Sequence, residues 1–192
     1  MTTLLATILD TPAGPLTVVL EPDGVVRVSG FGPFDETVER LPAEVRAEGV
    51  RLLEPDELAA VGAGPADVVD AVRAYAAGHV GALDTVPVAQ PGGPFQQELW
   101  RAMRAVPPGA TVSYTALAAA AGRPAAVRAA GGACARNLVA PFVPCHRIVR
   151  SGGQIGGYYF GPGPKRALLA HEEAARGGTL ESASASAASA SA

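Results

Sequence analysis

The chain has 192 residues, of which 48% are hydrophobic and 17% charged, so it is long enough for one or two domains with apolar cores. No basic segment precedes the first apolar residues, and Asp10 interrupts them, so we expect neither a signal peptide nor a membrane span. The two cysteines, Cys134 and Cys145, are too few for a disulfide framework and lack the spacing of a zinc-binding pair. We therefore expect a cytoplasmic protein without a bound metal.

The charge is distributed unevenly, although the net charge is only −3. Residues 1–94 contain 14 acidic residues and five arginines, whereas residues 95–173 contain nine basic residues and only three acidic ones. Between Glu98 and Glu172 there is no acidic residue. Compositional drift toward Arg and Ala would not remove the acidic residues. The asymmetry therefore indicates a polyanionic partner for the C-terminal half.

The N-terminal half predicts a small α/β domain, which we assign to residues 1–92 together with its linker. The segments LLATIL, LTVVLE, VVRVSGF and GVRLLE are typical of strands, and the PDG sequence at 22–24 predicts a tight turn. Asp35 is a candidate cap for a short helix, DETVERL.

Two longer helices flank the predicted linker. Residues 64–78 predict a helix that ends at Gly78. Its apolar face is formed by Val68, Val69, Val72 and Tyr75. Residues 79–93 predict the linker, and residues 94–106 predict a helix that begins at a proline and is stopped by the PPG sequence.

The second domain, residues 93–175, predicts a helix-turn-helix. Ser113 or Thr115 can cap the helix YTALAAAA, and the next helix, PAAVRAAGGACAR, follows Gly122. An ordinary pair of core helices is the alternative. The second helix, however, carries Arg128 among small residues, so it can approach the floor of a nucleic-acid groove closely.

The rest of the chain contains the active-site candidate. Residues 139–149 predict a strand followed by a turn, and a glycine-rich loop follows at 151–164. Residues 165–174 predict a closing helix, and the Ala/Ser-rich tail, residues 176–192, is expected to be disordered.

Cys145 lies in the sequence FVPCHRIV, between Pro144 and His146. Positive charge nearby and backbone N–H groups can turn a thiol into a nucleophilic thiolate, and a histidine within reach can relay the proton. Adjacent strand residues face opposite sides, so a direct Cys–His contact requires a turn. Glu172 or Glu173 could orient His146. The alternative is an inert buried cysteine beside a satisfied histidine.

The stretch PFQQELWRAMRAVPPGATVSYTALAAAAGRPAAVRAAGGACARN, followed by VPCHRIV, the glycine-rich loop and KRALLAHE, closely resembles the O6-alkylguanine-DNA alkyltransferases. The resemblance covers about residues 94–173. It implies an α/β N-terminal domain of RNase H-like fold, followed by a mainly α-helical domain with the helix-turn-helix and the Pro-Cys-His-Arg turn.

The resemblance also implies a reaction and its residues. Such proteins bind double-stranded DNA through the minor groove, flip out O6-alkylguanine and move the alkyl group irreversibly to a cysteine, here Cys145. His146 would take the thiol proton through a water, Glu172 would orient His146, and Asn137 would steady the active-site turn. Tyr114 would assist flipping and donate a hydrogen bond to the leaving guanine.

The remaining residues implied by the resemblance form two groups. The DNA contacts are Ser113, Tyr114, Arg123, Arg128, Ala129 and Gly131. The guanine pocket is formed by Val143, Ile148, Tyr158 and Tyr159. No cofactor is implied, and we expect a monomer that acts once and has no membrane partner. O4-alkylthymine is a further candidate substrate.

This chain departs from the family pattern in the sequence YYFGPGP, which puts Tyr159 and Phe160 at the mouth of the pocket. We expect large O6 groups, such as benzyl, to react poorly, unless both rings turn outward.

The residues alone leave two alternative functions. One is a damage-sensing DNA-binding protein without chemistry, but such proteins lack the acceptor cysteine that is present here. The other is a Cys-His hydrolase, which would leave the helix-turn-helix unexplained.

Overall fold

The computed structural model describes residues 3–189. A four-stranded mixed sheet forms the N-terminal half. Its strands are β1 (Leu4–Leu9), β2 (Leu16–Leu20), β3 (Val26–Gly30) and β4 (Val50–Leu52). The spatial order is β3-β2-β1-β4, in which β2 is antiparallel to both neighbours and β4 is parallel to β1. All four predicted strands are therefore confirmed.

Helices cover both faces of this sheet. They are α1 (Phe34–Glu39), α2 (Ala43–Arg46), α3 (Pro55–Ala59) and α4 (Ala63–Ala76). The predicted apolar face of α4 is buried, from Val68 to Tyr75. The predicted cap of α1 is wrong. The helix begins after Pro33, and Asp35 lies in its first turn, because Phe34 already packs against the core.

The predicted linker, residues 79–93, is packed against the sheet. A 3₁₀ turn, Ala82–Thr85, buries Leu83, and Val88 forms a parallel bridge with Val26 at the edge of β3. The backbone of Val26 makes two hydrogen bonds with this segment, one to Pro87 and one from Ala89, each 2.9 Å long.

The C-terminal half contains four helices and a two-stranded sheet. These are α5 (Pro94–Arg104), β5 (Val112–Ser113), α6 (Tyr114–Ala120), α7 (Val127–Ala135), β6 (Ile148–Val149) and α8 (Pro162–Ser189). Ser113 caps α6, as one of the two predicted candidates, by accepting a hydrogen bond from the Ala116 N–H.

Two expectations in this half are corrected. The helix α7 begins at Val127 rather than at Pro124, because the Ala126 N–H closes a turn onto the Arg123 carbonyl and Ala126 has a non-helical backbone. Residues 139–149 begin with an isolated bridge between Val139 and Ser29, continue as a turn and end in the strand β6. No longer strand forms before the turn, since Pro141 and Pro144 cannot donate the N–H that a strand ladder needs.

The backbone of α8 continues to Ser189 and so includes most of the Ala/Ser-rich segment for which the sequence predicts disorder. Residues 190–192 of the expected tail lie outside the described residues.

The two halves share one hydrophobic cluster, which contains Val18 and Leu58 from the first half and Met103 and Phe142 from the second. Backbone pairing also crosses between them, because the Ser29 N–H donates to the Leu138 carbonyl at 2.8 Å. The active-site region is therefore built directly on the sheet. In the part of the chain that is described, none of the helices is both long and apolar enough to cross a bilayer.

Candidate active site

Cys145 is the first residue of a 3₁₀ turn, Cys145–Arg147, and its side chain is buried. The turn supplies the change of direction that a Cys-His pair requires. Asn137 stabilises this turn: its amide nitrogen donates to the Val143 carbonyl at 2.7 Å and to the Cys145 Sγ at 3.2 Å. The Asn137 side chain therefore contacts both the backbone before the thiol and the thiol itself.

Glu172, on α8, lies under the same turn and is fully buried. Its Oε1 is 2.9 Å from His146 Nε2 and 2.9 Å from Arg147 Nη2, while its Oε2 accepts from Arg147 Nε at 3.0 Å. The exposed neighbour Glu173 makes no such contact among the described residues. Of the two glutamates considered as partners of His146, the structure thus places Glu172 beside the imidazole.

Two further donors complete the environment of the carboxylate. The Gly109 N–H donates to Oε2 at 3.0 Å, and the Tyr75 hydroxyl donates to Oε1 at 3.1 Å. Burial alone would raise the pKa of Glu172, but the hydrogen bonds and charges of His146 and Arg147 lower it to about 2. The carboxylate is therefore ionised at any physiological pH.

An ionised carboxylate fixes the tautomer of His146. Because Glu172 can only accept, His146 Nε2 carries the hydrogen and Nδ1 has the free lone pair. Nδ1 is buried and has no hydrogen-bond partner among the described residues. Burial lowers the pKa of His146, partly offset by Glu172, so the neutral imidazole is available as a base near pH 7.

The thiol is protonated at rest. Burial raises the pKa of Cys145, and the Asn137 hydrogen bond and the Lys165 charge offset this only in part. The Lys165 Nζ donates to the Ile148 carbonyl at 2.6 Å and lies at 3.4 Å from that of Gly157, so it ties β6 to the glycine-rich loop. No direct hydrogen bond joins the thiol to the imidazole within residues 3–189.

A cavity of about 290 Å³ opens onto Cys145. One wall is α7, the other is the glycine-rich loop, and the lining residues are Tyr114, Gly131, Cys134, Ala135, Cys145, Gly157, Tyr158 and Tyr159. Burial raises the pKa of Tyr114 and holds that of Tyr158 well above its usual value, so both phenols stay protonated donors. The buried Tyr158 hydroxyl has no partner in the described structure.

The aromatic pair after Tyr158 is divided between the cavity and the N-terminal half. Tyr159 lines the cavity and is 62% exposed. Phe160 instead packs edge-on against Phe31 at 5.6 Å, and a Cβ on Gly30 would overlap its ring. Arg40 lies over the Tyr159 ring at 4.4 Å and donates to the Asn137 carbonyl at 2.6 Å. Only one of the two rings therefore narrows the cavity.

The predicted DNA contacts lie along α6 and α7. Arg128 is exposed and makes no hydrogen bond or ion pair with a described residue. Gly131 follows it by one turn and lies on the cavity wall, whereas the Arg123 guanidinium is already stacked over Phe95 at 4.5 Å. Ala129, next to Arg128 in the sequence, is half-buried. The Ser113 hydroxyl accepts the capping hydrogen bond of α6.

Two residues expected in the guanine pocket lie behind it instead. Val143 and Ile148 are buried in the core, and the cavity is lined by other residues. Their backbones still support the site, since the Val143 carbonyl accepts from Asn137 and the Ile148 carbonyl accepts from Lys165. Ile148 is buried in the core because it lies in the short strand β6, where it pairs with Val112.

Sequence reasoning does not predict the roles of four residues of the site, namely Arg40, Tyr75, Arg147 and Lys165. No local pattern in the sequence indicates that Lys165 is buried. The sequence does contain a signal for Arg147. An arginine next to a Cys-His pair, in a region with few acidic residues, is expected to pair with one of those acidic residues, as Arg147 does with Glu172.

Among the described residues no three His, Cys, Asp or Glu side chains cluster as metal ligands.

Comparisons with known proteins agree with this geometry. The family described as "6-O-methylguanine DNA methyltransferase, DNA binding domain" matches residues 94–174. The chain is 35% identical over 173 residues to the methylated-DNA–protein-cysteine methyltransferase of Shigella flexneri, covering 90% of this chain and 97% of that protein.

Solved structures show the same fold of a mixed sheet and helices. The O6-methylguanine methyltransferase of Mycobacterium tuberculosis matches with a TM-score of 0.68 and 31% identity, over 90% of this chain and 94% of that chain. Mycobacterium tuberculosis OGT in complex with DNA matches with a TM-score of 0.68 and 30% identity, over 89% and 94%. By sequence and by fold, the chain belongs to the methylated-DNA–protein-cysteine methyltransferase family.

Proposed function

We propose that this protein repairs alkylated DNA directly, by flipping O6-alkylguanine out of the double strand and transferring the alkyl group to Cys145. The observation that carries the proposal is the position of the thiol. Cys145 faces a cavity between α7 and the glycine-rich loop, and the His146–Glu172 pair lies directly behind it. A DNA-facing helix thus forms one wall of the chamber that contains the nucleophile.

The thiol is activated in two steps. A water that bridges the thiol to His146 Nδ1 carries the proton to the imidazole, and Glu172 compensates the positive charge that forms there. The Asn137 N–H stabilises the resulting thiolate through its hydrogen bond to Sγ.

The transfer itself is a displacement at the alkyl carbon. A bond forms between Sγ and that carbon, the carbon–O6 bond breaks, and the electron pair passes to the guanine ring. The protonated Tyr114 hydroxyl at the cavity wall offsets this charge, and the guanine regains a proton from solvent. The thioether product is stable and no group at the site is suited to cleave it. Each molecule therefore acts once, without a cofactor.

The proposed DNA-binding unit is a helix-turn-helix formed by α6 and α7, which binds in the minor groove. Arg128, Gly131 and Ala135 are spaced by three and four residues, so they lie along one side of α7, and the last two line the cavity. This spacing supports a position for Arg128 beside the path of a flipped base. We propose that its side chain fills the gap that the base leaves, which offsets part of the few kcal/mol that extrusion costs.

The preference for small alkyl groups depends on Tyr159. Phe160 is turned toward Gly30 and Phe31, so only Tyr159 restricts the mouth of the cavity. We propose that O6-methylguanine reacts faster than O6-benzylguanine and that O4-alkylthymine is a secondary substrate. The proposal takes the protein to be a cytoplasmic monomer whose N-terminal domain has an RNase H-like fold. A sensor without chemistry is not favoured, because the acceptor thiol is present and held by Asn137.

The experiment is a titration of a duplex that contains one O6-methylguanine with increasing protein. Repaired lesions should rise linearly and stop at one per protein molecule, and Cys145→Ala should repair none. Repair that continues past this ratio would contradict a single-use acceptor. Tight lesion binding without any repair would support the damage sensor instead.

A further inference from the structure

We propose that Tyr75 is a positioning residue of this active site: its hydroxyl holds the Glu172 carboxylate in place against His146, across the boundary between the two halves. The inference rests on the proposed role of His146 as the base. It gives the N-terminal half a part in the chemistry, beyond support of the fold.

The first argument is the geometry of the shared oxygen. The Tyr75 hydroxyl donates to Glu172 Oε1 at 3.1 Å, and His146 Nε2 contacts the same oxygen at 2.9 Å. Tyr75 is 1% exposed, so no water competes for its hydroxyl. Burial and the neighbouring carboxylate raise the pKa of the phenol, so that it remains a donor over the working pH range.

The second argument is that Tyr75 is held at two points of α8. Its backbone carbonyl lies 2.7 Å from His171 Nε2, and its ring packs edge-on against the His171 ring at 5.1 Å. The hydroxyl reaches Glu172, the next residue. The last turn of α4 is thus fixed to two consecutive residues of α8, which leaves little freedom for the carboxylate to rotate.

The third argument is the charge balance around Glu172. It is faced by Arg147 and His146 from the active-site turn, the Gly109 N–H from the connection after α5, and Tyr75 from α4. Asp84 lies 3.9 Å from Arg147 Nη1. Arg147 supplies the formal positive charge among these partners, whereas the Tyr75 phenol is neutral, so its removal alters the hydrogen bonding of the carboxylate without removing a formal charge.

The direction of the effect follows from the shared oxygen. A hydrogen bond from Tyr75 withdraws negative charge from Oε1 and so weakens the stabilisation of a protonated His146. Without the hydroxyl, Glu172 holds the imidazolium more strongly and the pKa of His146 rises. The charges of Arg147 and Lys165, which lower the pKa of His146, stay the same. The acidic limb of the rate profile then moves to higher pH, because the base is already protonated there.

The test compares Tyr75→Phe with Val72→Ala in the full chain. Val72 is a buried residue one turn earlier on α4, and its truncation destabilises the helix packing without touching Glu172. The pKa of His146 is followed by NMR of its ring, and the rate of methyl transfer from an O6-methylguanine duplex is measured against pH. We expect Tyr75→Phe to raise the His146 pKa by roughly half a unit or more, and Val72→Ala to leave it unchanged.

A second variant keeps the inference testable if Tyr75→Phe does not fold. Replacement of Tyr75 by a fluorotyrosine makes the hydroxyl a stronger donor and should move the His146 pKa downward. An unchanged His146 pKa in both Tyr75 variants, or an equal shift in Val72→Ala, would overturn the inference. The NMR readout needs no alkyl transfer, so it separates this result from a failure of the proposed function, which would show as no methylation of the wild-type protein.

Discussion

At the scale of single residues, the site depends on one buried carboxylate. Glu172 is fully buried, yet it remains ionised because Arg147, His146, Tyr75 and the Gly109 N–H all donate to it. A buried charge is tolerated only where partners and hydrogen bonds compensate the loss of water. The same contacts that stabilise Glu172 fix the tautomer of His146, so folding and chemistry depend on the same atoms.

Removal of this charge should therefore be costly. Glu172→Gln leaves the buried Arg147 with only the more distant carboxylate of Asp84, and we expect a loss of about 3–5 kcal/mol in the free energy of unfolding, measured by urea denaturation at pH 7. Glu173→Gln, at the exposed neighbour, should change it by less than about 0.5 kcal/mol. Equal effects of the two substitutions would contradict the assigned role of Glu172.

The pH dependence of stability has a definite sign. His146 and Arg147 lower the pKa of Glu172 from its ordinary 4.5 to about 2 in the folded protein, so its contribution to stability is present above pH 4.5 and is lost as the pH falls toward 2. Urea midpoints measured between pH 6 and the acid limit should fall more steeply for the wild type than for Glu172→Gln. Parallel curves would show that this carboxylate is not held below its usual pKa.

Asn137 should control the reactivity of the thiol. Its N–H donates to Sγ, which lowers the pKa of Cys145, so Asn137→Ala should move the pH midpoint of Cys145 alkylation by iodoacetamide upward. Gln90→Ala is the matched control, since Gln90 contacts Asn137 Oδ1 and not the thiol. If Gln90→Ala moved the midpoint equally, a general loosening of the turn would explain the result.

At the scale of elements, α7 connects the proposed DNA-binding surface to the cavity. Small residues, Ala130 and Ala133, bury one side of the helix, while Gly131 and Ala135 form part of the cavity wall. The lack of bulk allows close approach to a second surface, and Arg128 is the one long side chain at the start of this helix. In the proposed complex, only the width of this helix would separate the duplex from the thiol.

The role of Arg128 can be measured directly. Arg128→Ala should lower the repair rate of O6-methylguanine in duplex DNA by roughly 10- to 100-fold, because a flipped base is no longer replaced in the stack. Repair in single-stranded DNA, where no partner strand must be separated, should fall much less. Arg101→Ala on α5, which is paired with Glu98, should have a small effect on both. A uniform loss on both substrates would instead indicate a simple phosphate contact.

At the scale of the whole molecule, the glycine-rich loop is anchored to the N-terminal half. Phe160 occupies the space over Gly30 beside Phe31, and Arg40 contacts both Tyr159 and the Asn137 carbonyl. Together with Tyr75, these contacts connect the first half of the chain to the loop, the turn and the carboxylate of the site. Motion of the loop is thus limited by residues more than one hundred positions away in sequence.

Substitution by alanine should have different effects at Phe160, which anchors the loop, and at Tyr159, whose ring is exposed. Phe160→Ala should cost about 1–2 kcal/mol of unfolding free energy, less than a fully buried phenylalanine, because its ring is half-buried. Tyr159→Ala should cost little, since that ring is largely exposed, but it should increase the rate with O6-benzylguanine. The opposite pattern in denaturation and labelling assays would show that Phe160, and not Tyr159, narrows the cavity.

Local patterns predicted much of this fold. The apolar face of α4 and the cap at Ser113 depend on residues a few positions apart, so periodicity and capping rules suffice. The start of α7 and the order of turn and strand at 139–149 depend on tertiary packing and on prolines within a buried segment. The acceptor Cys145 came from a motif and a family resemblance, whereas Tyr75 meets Glu172 from 97 residues away, a contact that no local pattern contains.

The most direct test is the mass of the protein after reaction with a duplex that contains one O6-methylguanine, followed by mapping of the modified peptide. The account predicts a gain of one methyl group on the peptide that contains Cys145, saturating at one per molecule and absent in Cys145→Ala. Cys134 lines the same cavity and serves as an internal control, because its thiol has a pKa raised by burial and should stay unmodified. A methyl group on Cys134, or no gain in mass despite binding to the lesion, would contradict the account.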